Sequence, residues 1–386
     1  MNISEVYFEL LRSALSGTNI SIETEKFITN ETLPKLYTLS KKHDTAHMIA
    51  KVLNEKGLLK DGTKAKAIFL KELNLAVLRV EQIDFEIGVL SDVLERAEIR
   101  FIVLKGAVIR PYYPQSWMRT SCDVDLLVDE KEIDKAISIL TEKLEYTVLD
   151  RDAHEITLVT PSGVNIELHF RLLESRFPKA VKILNNIWEY TKVKEGKQYQ
   201  TELTPEMFYF YHVTHMAKHF VFGGCGVRPI MDTYVLVHFA GFDLRCADKL
   251  LKQADLLTFA EKVEQLSEIW FSNKEKTPLF EKLERFILQG GAYGTVQNGV
   301  AVRQVRQGGK FKYFMSRIFV SYEVLSGQYP VIRKHKWLTP LFQVVRWFRM
   351  IFTGRMKRTV SEVKASGNLT KEQVRETANL LEQIGL

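Results

Sequence analysis

The run Asp123-Val124-Asp125-Leu126-Leu127-Val128 constrains the chain more than any other stretch, because two acids one residue apart open a short, almost continuous apolar segment. Short apolar runs of this kind form strands, and side chains in a strand alternate faces. Asp123 and Asp125 therefore point the same way, while Val124 and Leu126 point into a core. Two ionised carboxylates side by side on one strand face repel unless cations compensate them. Carboxylate oxygens are the ligands Mg²⁺ prefers, so the pair asks for a divalent metal.

A second segment repeats the logic. Glu155 to Thr160 and Val164 to Phe170 flank Pro161-Ser162-Gly163, a turn chemistry suited to joining antiparallel strands. Ile166, Leu168 and Phe170 share one face, which puts Asn165, Glu167 and His169 on the other. Glu167 is the natural third carboxylate. Three acids on neighbouring strands can hold two ions about 4 Å apart, the arrangement used for in-line displacement at phosphorus; the sequence leaves the adjacency of the two strands open. Taken alone, the Asp123–Asp125 pair equally suits a polar strand end before a helix N-terminus. Joined to Lys105-Gly106, Arg119 and Glu167, it satisfies several independent requirements of a metal site.

Around these strands the texture changes twice. Up to about Glu98 apolar positions such as Leu73, Val77, Val80 and Phe85 recur at helical steps, punctuated by Gly57 and Gly62. Arg100 to Leu104 is a short β-branched run closed by Lys105-Gly106. Ile109 to Thr120, with Pro111 and Pro114, is a loop. Lys131 to Leu144 has helical spacing, so strand, helix and a following strand make an α/β unit. After about Phe177 the pattern returns to helix, clearest in Met207 to Phe220 and Ile230 to Phe239, with Pro205 at an opening position. The expected division is 1–98, an N-terminal helical region; 99–200, an α/β core; 201–300, a helical domain lining the cleft; and 301–386, a basic, aromatic, helical C-terminal region.

Leu104-Lys105-Gly106, Arg119 four residues before Asp123-Val124-Asp125, and Ile166-Glu167-Leu168-His169 together resemble the uncharacterised nucleotidyltransferase family of the polymerase-beta-like nucleotidyltransferase superfamily, over about residues 100 to 170. The resemblance implies an α+β fold: a polymerase-beta-like core, a small mixed sheet with helices, flanked by N- and C-terminal helical regions. It implies Gly106 in a turn over a triphosphate, Asp123 and Asp125 binding both metals, and Glu167 binding the catalytic one. The activity implied moves a nucleoside monophosphate from a nucleoside triphosphate to an acceptor hydroxyl, with Mg²⁺ or Mn²⁺ as cofactor and pyrophosphate released. The superfamily usually carries Gly-Ser after the first strand, where Lys105-Gly106-Ala107 stands here. The Lys105 ammonium then offsets phosphate charge while Gly106 lets backbone N–H groups approach. Arg119 either grips the triphosphate with its fork or pairs with an acidic strand end.

His154 and His169 border the hairpin, as acid–base groups or as structural hydrogen-bonders. His212, His215 and His219 share one helix ahead of Arg228 and Asp232, a spacing that permits zinc. A helix lining the cleft is the better account, since the H-E-x-x-H glutamate is lacking. Related family members carry a similar histidine helix followed by Asp, which implies a nucleotide- or acceptor-facing role for His215, His219 and Asp232.

The net charge of +7 over 386 residues is mild, yet from Lys310 to Arg358 the only acid is Glu323. That predicts a polyanion contact, RNA or anionic lipid, through residues 333–358, against the alternative of basic side chains snorkelling over a core. Leu338 to Phe352 is broken by Arg346 and Arg349, so no membrane span is expected. Glu5 and Glu9 replace a basic leader, which makes the cytoplasm the expected location. Cys122, Cys225 and Cys246 lack metal-ligand spacing. Gly290 to Gly294 is glycine-rich without a phosphate-loop lysine in register, and suits a turn. The acceptor (RNA, protein, sugar or small molecule) is left open. The alternative class is a non-catalytic module that binds nucleotide or polyanion.

Overall fold

The computed structural model describes residues 1–386 apart from 153, 174–176, 293, 330, 353–361, 363–365 and 368. Two compact units divide it: Met1–Met216 with Gly226–Phe280, and Ala217–Cys225 with Glu281–Leu386.

The first unit is α+β. Its strands are β1 (Phe101–Val103), β2 (Asp123–Val128), β3 (Thr147–Arg151), β4 (Glu155–Val159), β5 (Asn165–His169), β6 (Thr191–Val193) and β7 (Gln200–Leu203), in the spatial order β3-β4-β5-β2-β1-β7-β6. The sheet is mixed: β2 runs parallel to β5 and β1 to β7, and the remaining neighbours are antiparallel. Val124, Leu126 and Val128 of β2, Ile156 and Leu158 of β4, and Ile166 and Leu168 of β5 pack into one core. Helix Lys64–Arg96 supplies Ile83, Leu90 and Leu94 to it, and helix Ile133–Leu144 supplies Ile133, Ala136 and Leu140. Burying each such aliphatic side chain contributes about 1.5–3 kcal/mol. Period-2 alternation then obliges Asp123, Asp125, Glu155, Glu167 and His169 onto the other face of the sheet.

Helix Lys64–Arg96 is one uninterrupted 33-residue element, opened by Thr63, whose hydroxyl accepts from Lys66 N. Gly57 and Gly62 stand before it at φ +67° and +72°, the left-handed turns that end what precedes it. The loop between β1 and β2 is held by Arg110. Its buried guanidinium pairs with Asp84 of the long helix and donates to Arg119 O (3.1 Å) and Ser121 Oγ (3.0 Å).

The β6–β7 hairpin stands where helical pattern was expected after Phe177. Its turn uses Gly196 at φ +73°, and β7 docks on β1 through Phe101 N donating to Tyr199 O (3.2 Å). The Glu95 carboxylate accepts from the backbone N–H groups of Tyr199 and Gln200, each at 2.9 Å. Tertiary pairing overrides local preference in strands this short.

The second unit is helical among the described residues, with Val296–Gln307, Lys310–Ile318, Thr339–Phe352 and Lys371–Gln383. The backbone crosses itself closely there: a Cβ on Gly294 would meet Gly223 C and O at 2.5 Å. The Gly290 to Gly294 stretch expected to turn includes residue 293, outside the described residues. Arg346, 8% exposed, and Trp347 both donate to Ile318 O at 2.8 Å, so that base of the 333–358 segment turns inward. Arg333, Lys334 and Lys336 are exposed, whereas Arg355, Lys357 and Arg358 lie outside the described residues. No helix among the described residues is long and apolar enough to cross a membrane.

Candidate active site

β2 and β5 are neighbours, and their parallel register pairs Asp125 with Glu167, Asp123 with Asn165 and Leu127 with His169. Across the antiparallel β4–β5 ladder, Glu155 pairs with His169. Five ionisable groups, Asp123, Asp125, Glu155, Glu167 and His169, therefore meet on one face. His169 Nε2 is 2.9 Å from Asp125 Oδ1 and 3.5 Å from Glu167 Oε2. Its Nδ1 is 3.1 Å from Glu155 Oε2, close enough for an ion pair though not aligned for a straight hydrogen bond. The Lys105 ammonium donates to Asp125 Oδ1 and lies 3.9 Å from Glu167 Oε2.

The electrostatics follow from this crowding. Burial raises the Asp123 carboxyl, and the charges of Asp125 and Glu167 push it the same way, to about 6. Burial also acts to raise Asp125, but Lys105 and His169 overcome it and hold that carboxyl well below the usual range. Burial opposes charge on His169, and Asp125, Glu155 and Glu167 outweigh it, lifting the imidazole to about 10. The adjacent His169 ring leads the causes that lower Glu155.

Lys105 itself has φ +53°, an uncommon conformation for a residue with a Cβ. Gly106, next in chain, leaves room for Arg119: a Cβ there would stand 3.2 Å from Arg119 Nη1. The Arg119 fork, expected at a triphosphate or an acidic strand end, holds Asp232 of helix Val227–His238 bidentately, Nε to Oδ1 at 2.7 Å and Nη2 to Oδ2 at 2.9 Å. Tyr113 donates to the same Oδ1 at 2.7 Å. Asp232 thus anchors the loop that carries Lys105, Gly106 and Arg119.

The expected histidines separate. His154 Nε2 is 3.6 Å from Glu155 Oε2, at the margin of the cluster. The half-buried His215 ring packs against Tyr211, centroids 5.9 Å apart. His219 belongs to the second unit, where its carbonyl accepts from Gly224 N at 3.1 Å. His212 Nε2 lies 3.1 Å from Thr233 Oγ1. Sequence reasoning passed over Glu155, a polar position on a strand next to an edge, and the Asp44–Arg228 pair (2.9 Å), which no local spacing announces.

A family described as uncharacterised nucleotidyltransferase matches residues 29–272, more than half of the chain. The chain belongs to that family. The region matched to the uncharacterised nucleotidyltransferase family contains Lys105, Asp123, Asp125, Glu155, Glu167, His169 and Asp232. No curated protein matches the chain.

Proposed function

We propose that this member of the family is a metal-dependent nucleotidyltransferase with a polymerase-beta-like core, moving a nucleoside monophosphate from a nucleoside triphosphate to an acceptor hydroxyl. The observation that carries the reading is the register pairing of Asp125 with Glu167, with Asp123 two residues along the same strand face. A divalent cation fits these residues. Asp125, Glu167 and His169 each offer a donor atom within 4.8 Å of the others, and the carboxyl of Asp123 is raised by burial and by acidic neighbours whose repulsion a cation relieves.

Asp123, Asp125 and Glu167 would hold Mg²⁺ or Mn²⁺, which when bound neutralises the triphosphate and the departing pyrophosphate. Lys105, its side chain 22% exposed, offers its ammonium to the phosphates, and Gly106 keeps the turn beside it narrow. Arg119 and Asp232 act as positioning residues by fixing that turn. The acceptor oxygen attacks the α-phosphorus, its proton passes to Glu167, and the bond to the β-phosphate breaks. Positioning and charge neutralisation account for most of the acceleration in such transfers. The exposed bases Arg333, Lys334 and Lys336 are proposed to add a salt-sensitive contact with a polyanion.

Calorimetric titration tests the binding half of this reading. Wild type should bind nucleoside triphosphate only with Mg²⁺ or Mn²⁺, and Asp125→Asn should bind it at least tenfold more weakly. Equal affinity with and without metal in both proteins refutes the reading.

A further inference from the structure

We infer that His169 is a ligand of the divalent cation, so that the site selects a first-row transition ion such as Mn²⁺ over Mg²⁺. The inference rests on the metal-dependent reading above and extends it to the identity of the ion.

Three features of the fold carry it. His169 Nε2 lies between Asp125 Oδ1 (2.9 Å) and Glu167 Oε2 (3.5 Å), and these three donors lie within 4.8 Å of one another. Glu155 sits behind the ring, its Oε2 3.1 Å from Nδ1, as β4–β5 register requires. A carboxylate close behind one ring nitrogen favours the proton on that nitrogen and leaves the other facing Asp125 and Glu167, as carboxylates do behind metal-bound histidines. The ring is also held firmly, with its side chain 7% exposed, whereas Lys105, which shares Asp125 Oδ1, hangs on a flexible stem that can give way.

The donor set is then two carboxylate oxygens and one imidazole nitrogen, with Asp123 two residues from Asp125 on the same strand face. Mg²⁺ demands oxygen ligands and gives up water reluctantly. Imidazole favours first-row transition ions, whose affinities for mixed nitrogen and oxygen sites rise along the series from Mn²⁺. A histidine serving only as a counter-cation to Asp125 would leave that preference untouched.

Mn²⁺ titrations of the full chain followed by electron paramagnetic resonance, with Mg²⁺ as competitor, separate the two roles. Wild type should show nitrogen hyperfine coupling on bound Mn²⁺ and should resist displacement by Mg²⁺. His169→Asn, which keeps a polar group toward Glu155, should lose the coupling and at least tenfold of the preference. Glu155→Gln, with the ring retained, should lower Mn²⁺ affinity while keeping the coupling. Bound Mn²⁺ without nitrogen coupling in wild type, or an unchanged preference in His169→Asn, overturns the inference and leaves the metal-dependent reading standing. Wild type that binds neither ion, with or without nucleoside triphosphate, overturns both.

Discussion

Asp125 and Glu167 are register partners on adjacent parallel strands, and one ammonium, that of Lys105, lies against both. The protein thus carries its own counter-cation where the proposed metal would sit. Lys105→Met removes it and leaves Asp125 with His169 alone. Breaking a buried pair costs about 3–5 kcal/mol. With His169 still in place, a loss toward the lower end of that range is expected. Mn²⁺ or Mg²⁺ should raise the Tm of the variant more than that of wild type, since the ion no longer displaces a lysine. Equal metal-induced shifts in Tm would contradict this picture of Lys105.

Arg119 and Asp232 bind through two parallel hydrogen bonds in a buried setting. Arg119→Met leaves the Asp232 carboxylate with Tyr113 alone and should cost about 3–5 kcal/mol in urea unfolding. Arg119→Met combined with Asp232→Leu should cost less than the sum of the single changes, because neither charge is then stranded. Strict additivity would mean that the pair is energetically idle.

His47 is buried with Nε2 3.0 Å from Met118 O, and burial lowers its pKa below the usual value near 6.5. The unfolded chain therefore takes up a proton that the folded chain resists, and stability falls as pH drops below about 6.5. His169 works in the opposite sense. Lifted to about 10, its contribution is complete below about 6.5 and is lost as pH rises toward 10. Between pH 7.5 and 5.0, His47→Gln should lose less stability than wild type, because only the His47 contribution differs between the two proteins. An equal loss in denaturant titrations would rule out His47 as a source of acid sensitivity.

The chemistry-bearing face was legible because strand periodicity is 2: once Val124, Leu126, Ile166 and Leu168 are assigned to a core, Asp123, Asp125, Glu167 and His169 have nowhere else to point. The adjacency of β2 and β5 was not legible, since a parallel pairing leaves no local turn to announce it. Glu155 was hidden for a related reason, as its importance comes from facing His169 across a ladder. The partner of Arg119 lies 113 residues away, beyond any spacing rule. β6 was missed because a strand of three residues with exposed Lys192 and Val193 carries no alternation to detect. His215 and His219 share helix Pro205–Phe222, with the boundary of the compact units falling between them.

Transfer of label from the α-phosphate tests the central claim most directly. The full chain is incubated with each α-labelled nucleoside triphosphate, Mg²⁺ or Mn²⁺ and a cell extract, alongside Asp123→Ala/Asp125→Ala. Attack at the α-phosphorus keeps the labelled phosphate on the acceptor and expels the other two. The prediction is label on a macromolecular or small-molecule acceptor, stoichiometric pyrophosphate, and neither product with the double variant. Transfer of γ-label instead, labelling by the double variant equal to wild type, or metal-dependent nucleotide binding with no transfer of either label would contradict the account.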